Sequence, residues 1–503
     1  MDRKSRSEAI VQEMVELFAA ELTRAAPALV GADLDGMEQR LQALGRRVFG
    51  RVVEHTVAVI AAAEPTAAPA CGDCHRPMRL VDAARPRALQ GVVGAYTVRR
   101  AYFVCERCGH GTAPLDERLG IGPGALSPGL ARAACRLGIE AAFTPAAEVL
   151  WETLGVDVPD ESVRRISEGM GAVAEAAQQA AVAAVQRGDE PVPSAAVEPA
   201  GPILAVAVDG VQVHLEDGWH EMKVGVLGAL GPATRTDAET GRTHLVLGAP
   251  SYCAGLETAE AFWCRVHAEA CRRGLGTRGV RVVVVLGDGA DWIWRYAAPF
   301  LAVGRVEVVE IVDIYHAYEH LWTVANAVFG AGSAAAHAWA EPLKIQLREK
   351  GSAPVLAALA RLAPEPAADA TDQPPGSVAP AHDAPPAAAD PLPAAATDEV
   401  RKARGYFTTH APRMDYPGFV AREFPIGSGA VESAAKILVQ QRAKGPGMRW
   451  SPAGAQHLIT LRALHRSGHW RAFWRTHPQR RPSAAIVHPT PPQPARDPLR
   501  LAA

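Results

Sequence analysis

Two short apolar runs that each end in Asp-Gly restrict the fold of this chain more than any other feature. Ala205-Val-Ala-Val-Asp209-Gly210 is the first, and Val282-Val-Val-Val-Leu286-Gly-Asp288-Gly289 repeats the design about eighty residues later. A short run of this kind reads as a buried strand, and an acid at its end is held rigidly where the chain leaves the core. β-Rich runs lie at Ile203–Val208, Lys223–Leu227, His244–Leu247, Val280–Leu286 and Val306–Val312. Helical stretches at Glu257–Arg273, Trp292–Leu301 and His316–Phe329 alternate with the later ones. Three hairpin-like strands followed by strand–helix–strand–helix predict an α/β domain with a mixed sheet.

If the strands that end in Asp209 and Asp288 are neighbours, both acids face one site. One Asp-Gly alone is an ordinary turn, but two on matching strands favour metal ligation. Closely placed carboxylates repel, and a hard divalent cation such as Mg²⁺ relieves the repulsion through oxygen ligation. A two-metal site of that kind activates a nucleophile and stabilises the leaving oxygen of a phosphodiester. Asp291, next to Asp288, reads as a helix cap.

Cys71-Gly-Asp-Cys74 and Cys105-Glu-Arg-Cys108 form two C-x-x-C knuckles. Each places two thiolates on one tetrahedral metal, and a hairpin over Gly91–Val104 returns the second pair to the first, so structural Zn²⁺ is expected. Disulfides are disfavoured without an export signal, and a thioredoxin-like redox pair would need a βαβ context. Cys135, Cys253, Cys264 and Cys271 are scattered, and His75 and His110 sit beside the knuckles.

The 503 residues are long enough for several domains. Residues 1–66 read as helices, with Ile10, Val11, Met14, Val15, Phe18 and Leu22 on one stripe and Met37, Leu41, Leu44 and Val48 on another. Such stripes serve helix-pair cores or dimer seams. After the zinc ribbon (67–118), residues 119–190 are helical. There Thr144-Pro145 opens a helix through Leu154, Gly155 ends it, and Pro159-Asp-Glu-Ser162 starts another running to about Met170. The pair fits a helix-turn-helix whose second helix offers Arg164 and Arg165 to DNA, or equally a plain core pair. Punctuation at Glu64–Ala70, a Pro-rich linker at Glu190–Pro202, a low-complexity insertion over 363–398 and a basic tail over 477–503 separate these parts. The sheet domain takes 200–335, a helical insertion 336–425 and closing helices 426–476.

Asp313-Ile-Tyr-His316-Ala-Tyr-Glu319-His320 contains H-x-x-E-H, an inverted zinc-peptidase pattern, but it follows directly on an apolar strand. In Pro425-Ile-Gly-Ser428-Gly-Ala-Val-Glu432-Ser-Ala-Ala-Lys436, glycines lead tightly into a helix carrying Glu432, which an i,i+4 pair with Lys436 would also explain. Next, Arg442, Lys444, Arg449 and Trp450 form a basic, Gly-flexed segment with an aromatic, suited to a nucleic-acid backbone and a stacked base, or to a solvated helix end.

Together "VAVDG", "GDGADWIW", "DIYHAYEHLW", "GSGAVESAAK", "KGPGMRWSPAGAQ" and the knuckle "FVCERCGHGTAPLD" resemble bacterial insertion-sequence transposases of the Kra type, within the Mutator-like DDE superfamily. The likeness runs in order through residues 70 to 465. It implies a multidomain α/β chain with an RNase H-like catalytic domain, preceded by a helical N-terminus, the zinc ribbon and the helix-turn-helix-like region. It further implies Asp209, Asp288 and Glu432 as the catalytic triad of acids holding Mg²⁺ (or Mn²⁺), with Asp313 and His316 as the family's D-x-x-H box beside them. That assignment displaces the peptidase reading. The implied reaction is metal-dependent cleavage at element ends and 3′-hydroxyl strand transfer into target DNA, with a homodimer or larger assembly to pair two ends. Two rivals are a DNA-binding regulator with an inactive fold and a related metal-dependent nuclease or recombinase.

Charge sharpens the partner expectation. The whole chain carries −2, yet residues 401–503 hold seventeen Lys and Arg against four acids, a local +13, and residues 1–400 the balancing −15. The positive end coincides with Glu432 and the Arg442–Trp450 segment, where double-stranded DNA is expected to lie. No apolar run is long enough for a membrane span and no secretory leader is evident, so a bacterial cytoplasmic, nucleoid-associated location is expected.

Overall fold

The computed structural model describes residues 3–63, 68–189, 201–236, 243–277, 279–363 and 392–476. The expected punctuation at Glu64–Ala70, linker at Glu190–Pro202, insertion at 363–398 and tail at 477–503 lie wholly or largely outside them. Helix nevertheless occupies Ala394–Asp398, which the low-complexity reading had assigned to the insertion.

The chain divides into two compact units, Met1–Val173 with Arg471–Ala503, and Ala174–Trp470. The first begins with a helical hairpin, α1 (Arg3–Val30) and α2 (Leu34–Ala62), whose Asp33 caps α2 through the Gly36 amide. The α1 stripe splits: Met14 and Leu22 are half-buried, while Val11, Val15 and Phe18 are exposed. A three-stranded sheet follows, in the order β1 (Arg79–Gly91), β2 (Gly94–Val104), β3 (Gly111–Thr112), all antiparallel. Asp116, on the short α3 (Pro114–Arg118), binds Arg87 at 2.7 Å and Arg100 at 3.0 Å beneath it.

Three further helices share one apolar core. α4 (Pro128–Gly138), α5 (Phe143–Leu154) and the start of α6 (Asp160–Gln186) pack through Leu130, Ala134, Ala146, Leu150, Val156, Val158 and Val163. Gly155 ends α5 in the left-handed region at φ 60°, where a side chain would run into the Arg46 guanidinium that hydrogen-bonds the Leu154 carbonyl. Thr144 does not cap α5 but donates to Asp160 at 2.9 Å, tying the starts of the two helices together. α6 continues to Gln186 rather than stopping near Met170, because the Ala-rich sequence beyond Gly171 contains no proline and no further glycine before Gly188.

The second unit is built on a five-stranded mixed sheet in the order β6-β5-β4-β7-β8. β4 (Ile203–Leu215), β5 (Gly218–Thr236) and β6 (Thr243–Gly255) form an antiparallel meander, and β7 (Val282–Gly287) and β8 (Glu307–Val312) add in parallel beside β4. α7 (Ala259–Arg272) and α8 (Asp291–Leu301) supply the crossover and cover, with Phe262, Trp263, Val266, Ile293 and Ala297 fully buried. α9 (Ile314–Phe329), α10 (Ala334–Lys350), α11 (Ala353–Leu362), α12 (Ala394–His410) and α13 (Tyr416–Ala421) follow. α14 (Gly429–Ala435) then packs on β4 and β5, a π-helical turn spans Lys436–Gln440, and α15 (Gln441–Ala443), α16 (Pro452–Arg466) and α17 (Trp470–Thr476) finish the described chain. No described helix is long and apolar enough to cross a membrane.

Candidate active site and metal centre

The parallel register of β4 and β7 sets the geometry of the acids. Residues Ile203 to Ala207 pair with Val282 to Leu286 at a constant offset, so Asp209 and Asp288 each stand two residues beyond the last pair. With neighbouring strands about 4.8 Å apart, two residues at equal register on one edge place their side chains side by side. β4 does not stop at its acid. Val211, Val213 and Leu215 stay buried while Gln212 and His214 are exposed, a one-faced alternation paired only with β5 after β7 has ended. Asp209 therefore sits mid-strand, at the point where its neighbour peels away.

Each carboxylate accepts from a backbone amide that follows it: Gly210 N–H donates to Asp209 at 2.7 Å within β4, and Ala290 N–H to Asp288 at 2.8 Å in the turn into α8. Asp291 is the first residue of α8 and makes no side-chain cap bond. Gly289 adopts φ 122°, and an added Cβ would meet the Tyr406 ring. Tyr406 donates its hydroxyl to the Asp288 carbonyl at 3.1 Å, so α12 buttresses the second acid from outside the sheet.

Burial raises the Asp209 carboxyl above its ordinary range; the Gly210 amide opposes this, Asp288 and Glu432 add to it, and His316 counters it. Asp288, Glu432 and His316 therefore lie near enough to Asp209 to act on its carboxyl, and α14 itself packs on β4. Asp288 is half-buried and Glu432 exposed. The carboxylates do not form a closed cluster: among the described residues, the four cysteines are the group gathered tightly enough to hold an ion.

A folded-state value raised in this way makes stability present below the carboxylate range fall as pH rises through it. Asp209→Asn is thus expected to melt at a higher temperature than the parent at neutral pH without Mg²⁺. The gap should close near about pH 4, as thermal melts at the two pH values would record.

Asp313 ends β8 and caps α9, fully buried, with its carboxylate accepting from the Tyr315 amide at 2.8 Å and from the Ser428 hydroxyl. His316 pairs with Glu319 at 3.2 Å. His320 instead stacks on Tyr406 at 3.8 Å between ring centres, and burial lowers its pKa. The two histidines of H-x-x-E-H thus face different partners, which leaves no two-histidine metal clip.

The four cysteines do converge. Their sulfur atoms all lie within 4.8 Å of one another, with Cys71–Cys108 at 3.5 Å, Cys74–Cys105 at 3.4 Å and Cys74–Cys108 at 3.9 Å. A tetrahedral Zn²⁺ with bonds of about 2.3 Å needs sulfurs about 3.8 Å apart, so the set fits. The knuckles are built alike: Cys71 N–H donates to Arg76 O and Cys105 N–H to His110 O, with His75 and Gly109 both at positive φ, 54° and 74°. The backbone amides of Cys108 and Arg107 pull the Cys105 thiol down to about 6, favouring the thiolate a metal takes.

The proposed nucleic-acid contacts separate by burial. Lys436, Lys444 and Arg449 are exposed, and no ion pair joins Lys436 to Glu432 among the described residues. Arg442 and Trp450 are buried at 1% and 5% exposure, with the guanidinium 4.8 Å above the indole ring, so they are packing partners and not contacts for an outside ligand. Arg442→Ala is expected to cost about 1–2 kcal/mol of unfolding free energy, against about 0.5 or less for Lys444→Ala, in denaturant titrations. Arg164 is clamped between Glu161 at 2.7 Å and Glu168 at 2.9 Å, while Arg165 is exposed with a loose 3.6 Å pair. Asp160 and Glu161 also make the first turn of α6 acidic.

The chain matches no protein-family model, and no curated protein matches it significantly.

Proposed function

We propose that this chain is a DDE-type DNA transposase with an RNase H-like catalytic unit, acting on double-stranded DNA in the bacterial cytoplasm. The observation that carries the reading is the equal register of Asp209 and Asp288 on adjacent parallel strands, with Glu432 acting on Asp209 from α14. Support comes also from the strand order: the first three strands form an antiparallel meander, and the fourth and fifth add in parallel next to the first. This arrangement puts the first strand at the centre and the fourth beside it, with Asp209 on the one and Asp288 just past the end of the other.

Three hard carboxylate ligands, one penalised by burial and by its neighbours, suit Mg²⁺ or Mn²⁺. When bound there, the cations supply charge neutralisation at the phosphate and an activated oxygen nucleophile. The chain's own part is placement. The sheet fixes Asp209 and Asp288, α14 presents Glu432, and Asp313 and His316 stand beside them. The hydroxyl of water, and then the freed 3′-hydroxyl, is aligned with the scissile phosphate, and the leaving 3′-oxygen departs with no covalent link to the protein. Exposed Lys436, Lys444 and Arg449 carry positive charge to the DNA backbone. The four-cysteine ribbon would hold structural Zn²⁺, and α6 offers Arg165 as the freer of Arg164 and Arg165. Pairing two element ends calls for at least a homodimer.

The test is a supercoiled donor plasmid carrying the genomic ends that flank this gene, incubated with full-length protein and Mg²⁺. Joined products in a target plasmid are expected. Breaks without joining would favour a nuclease, and DNA binding without any Mg²⁺-dependent break would favour an inactive regulator.

A further inference from the structure

We infer that Ser428 is a positioning residue that ties the exposed Glu432 to the buried Asp313. The inference rests on the carboxylate-site reading above and deepens it.

Asp313 is a fixed post. It is fully buried, its amide donates to the Gly287 carbonyl at 2.9 Å, and one carboxylate oxygen accepts from Tyr315 N–H at 2.8 Å. Its other oxygen accepts from the Ser428 hydroxyl. The segment before Ser428 is clamped to the same place, since Ile314 N–H donates to the Ile426 carbonyl at 2.9 Å. Ser428 is itself 3% exposed, and its Oγ lies 3.3 Å from Glu432 Oε1. Ser428 precedes α14 at the cap position, yet its side chain makes no cap bond. Serine at that place normally spends its oxygen on the helix amides. Here the single hydroxyl proton is shared between two carboxylates instead, the anchored Asp313 as the nearer acceptor and Glu432 as the farther one.

Glu432 needs such a tether. It sits on a seven-residue helix that runs directly into a π-helical turn, and its side chain faces solvent. Asp209 is held within β4 and Asp288 directly after β7, each by a following backbone amide, whereas Glu432 has one more rotatable bond and no strand behind it. A ligand carboxylate must be held to within about 0.5 Å to serve a metal, and partners behind the ligands set that placement. The line from the end of β8 through Asp313 and Ser428 to Glu432 performs this role. It also assigns Asp313 as a support for the third acid and not as a fourth ligand.

The experiment is Mn²⁺ binding to the zinc-loaded full chain, followed by the electron paramagnetic resonance signal of free Mn²⁺, with melting curves as a folding control. Ser428→Ala should weaken Mn²⁺ binding by about 10–100-fold while Ser428→Thr, which keeps the hydroxyl, recovers most of it. Asp209→Asn should abolish binding. If Ser428→Ala binds as the parent does while Asp209→Asn has lost binding, the positioning role is wrong. It is equally wrong if Ser428→Thr is as weak as Ser428→Ala, which would make the site a matter of packing. If the parent binds no better than Asp209→Asn, the carboxylate-site reading itself fails.

Discussion

Asp288→Asn should reduce Mg²⁺-dependent strand cleavage and joining by at least about 10³-fold, the scale of losing one preorganised electrostatic group at a reacting centre. The substitution isolates chemistry from folding. The carboxylate oxygen of Asp288 accepts from Ala290 N–H, and the amide oxygen of Asn accepts in the same way, so the turn into α8 is retained. Tyr406 grips the main-chain carbonyl, which the substitution does not touch. Asp209→Asn should behave alike, because Gly210 N–H finds the same acceptor. DNA affinity in both variants should hold or rise slightly, since a negative charge facing phosphate is removed. Quantifying joined product and gel-shift affinity side by side separates the two effects. Loss of both together would point to a folding defect.

The second large effect is expected at the ribbon. Cys105→Ser should purify with less than one equivalent of Zn²⁺ and lose on the order of several kcal/mol of local stability. The reason lies in how little else holds that part of the chain. Its core is Cys71, Met78, Phe103 and Cys105, with Cys74 and Ala101 packed against it, so three of the four ligands make up half of the apolar interior. Hydrogen bonds within each knuckle order the loops locally but bury no surface. Limited proteolysis should cut the variant between residues 68 and 112 first. The melting of the unit that carries the five-stranded sheet, Ala174–Trp470, should not move. A variant with full zinc content and parental protease resistance would show that three cysteines suffice.

What could be read in advance followed from local periodicity. The two Asp-Gly runs predicted strands, and the constant offset between them already implied equal register once the strands were taken as neighbours. The C-x-x-C spacing predicted the sulfur cluster for a similar reason, because a hairpin has few ways to return. The end of β4 was missed because Asp-Gly reads as a turn. The alternation Val211, Val213, Leu215 was there to correct it, and only the early end of β7 explains why the apolar pattern changes from two-faced to one-faced.

Other features depend on tertiary packing that no window of sequence contains. Arg442 and Trp450 looked like a DNA-facing pair, since a basic residue near an aromatic reads alike whether the pair is solvated or stacked in a core. Their burial comes from neighbours such as β4, whose continuation at Glu216 bonds the Trp450 carbonyl at 3.0 Å. Tyr406 reaches Asp288 from more than a hundred positions away. Ser428 takes on meaning only when Asp313 and Glu432 are both seen within reach of its hydroxyl.

The central claim is that Asp209, Asp288 and Glu432 form one divalent-cation site. Anomalous diffraction from crystals of the zinc-loaded protein soaked in Mn²⁺ tests it most directly, with the zinc signal at the four cysteines as an internal control. The account predicts a manganese peak bounded by the three carboxylates, lost in Asp209→Asn crystals. A clear zinc peak with no manganese at those acids under saturating Mn²⁺ would contradict it.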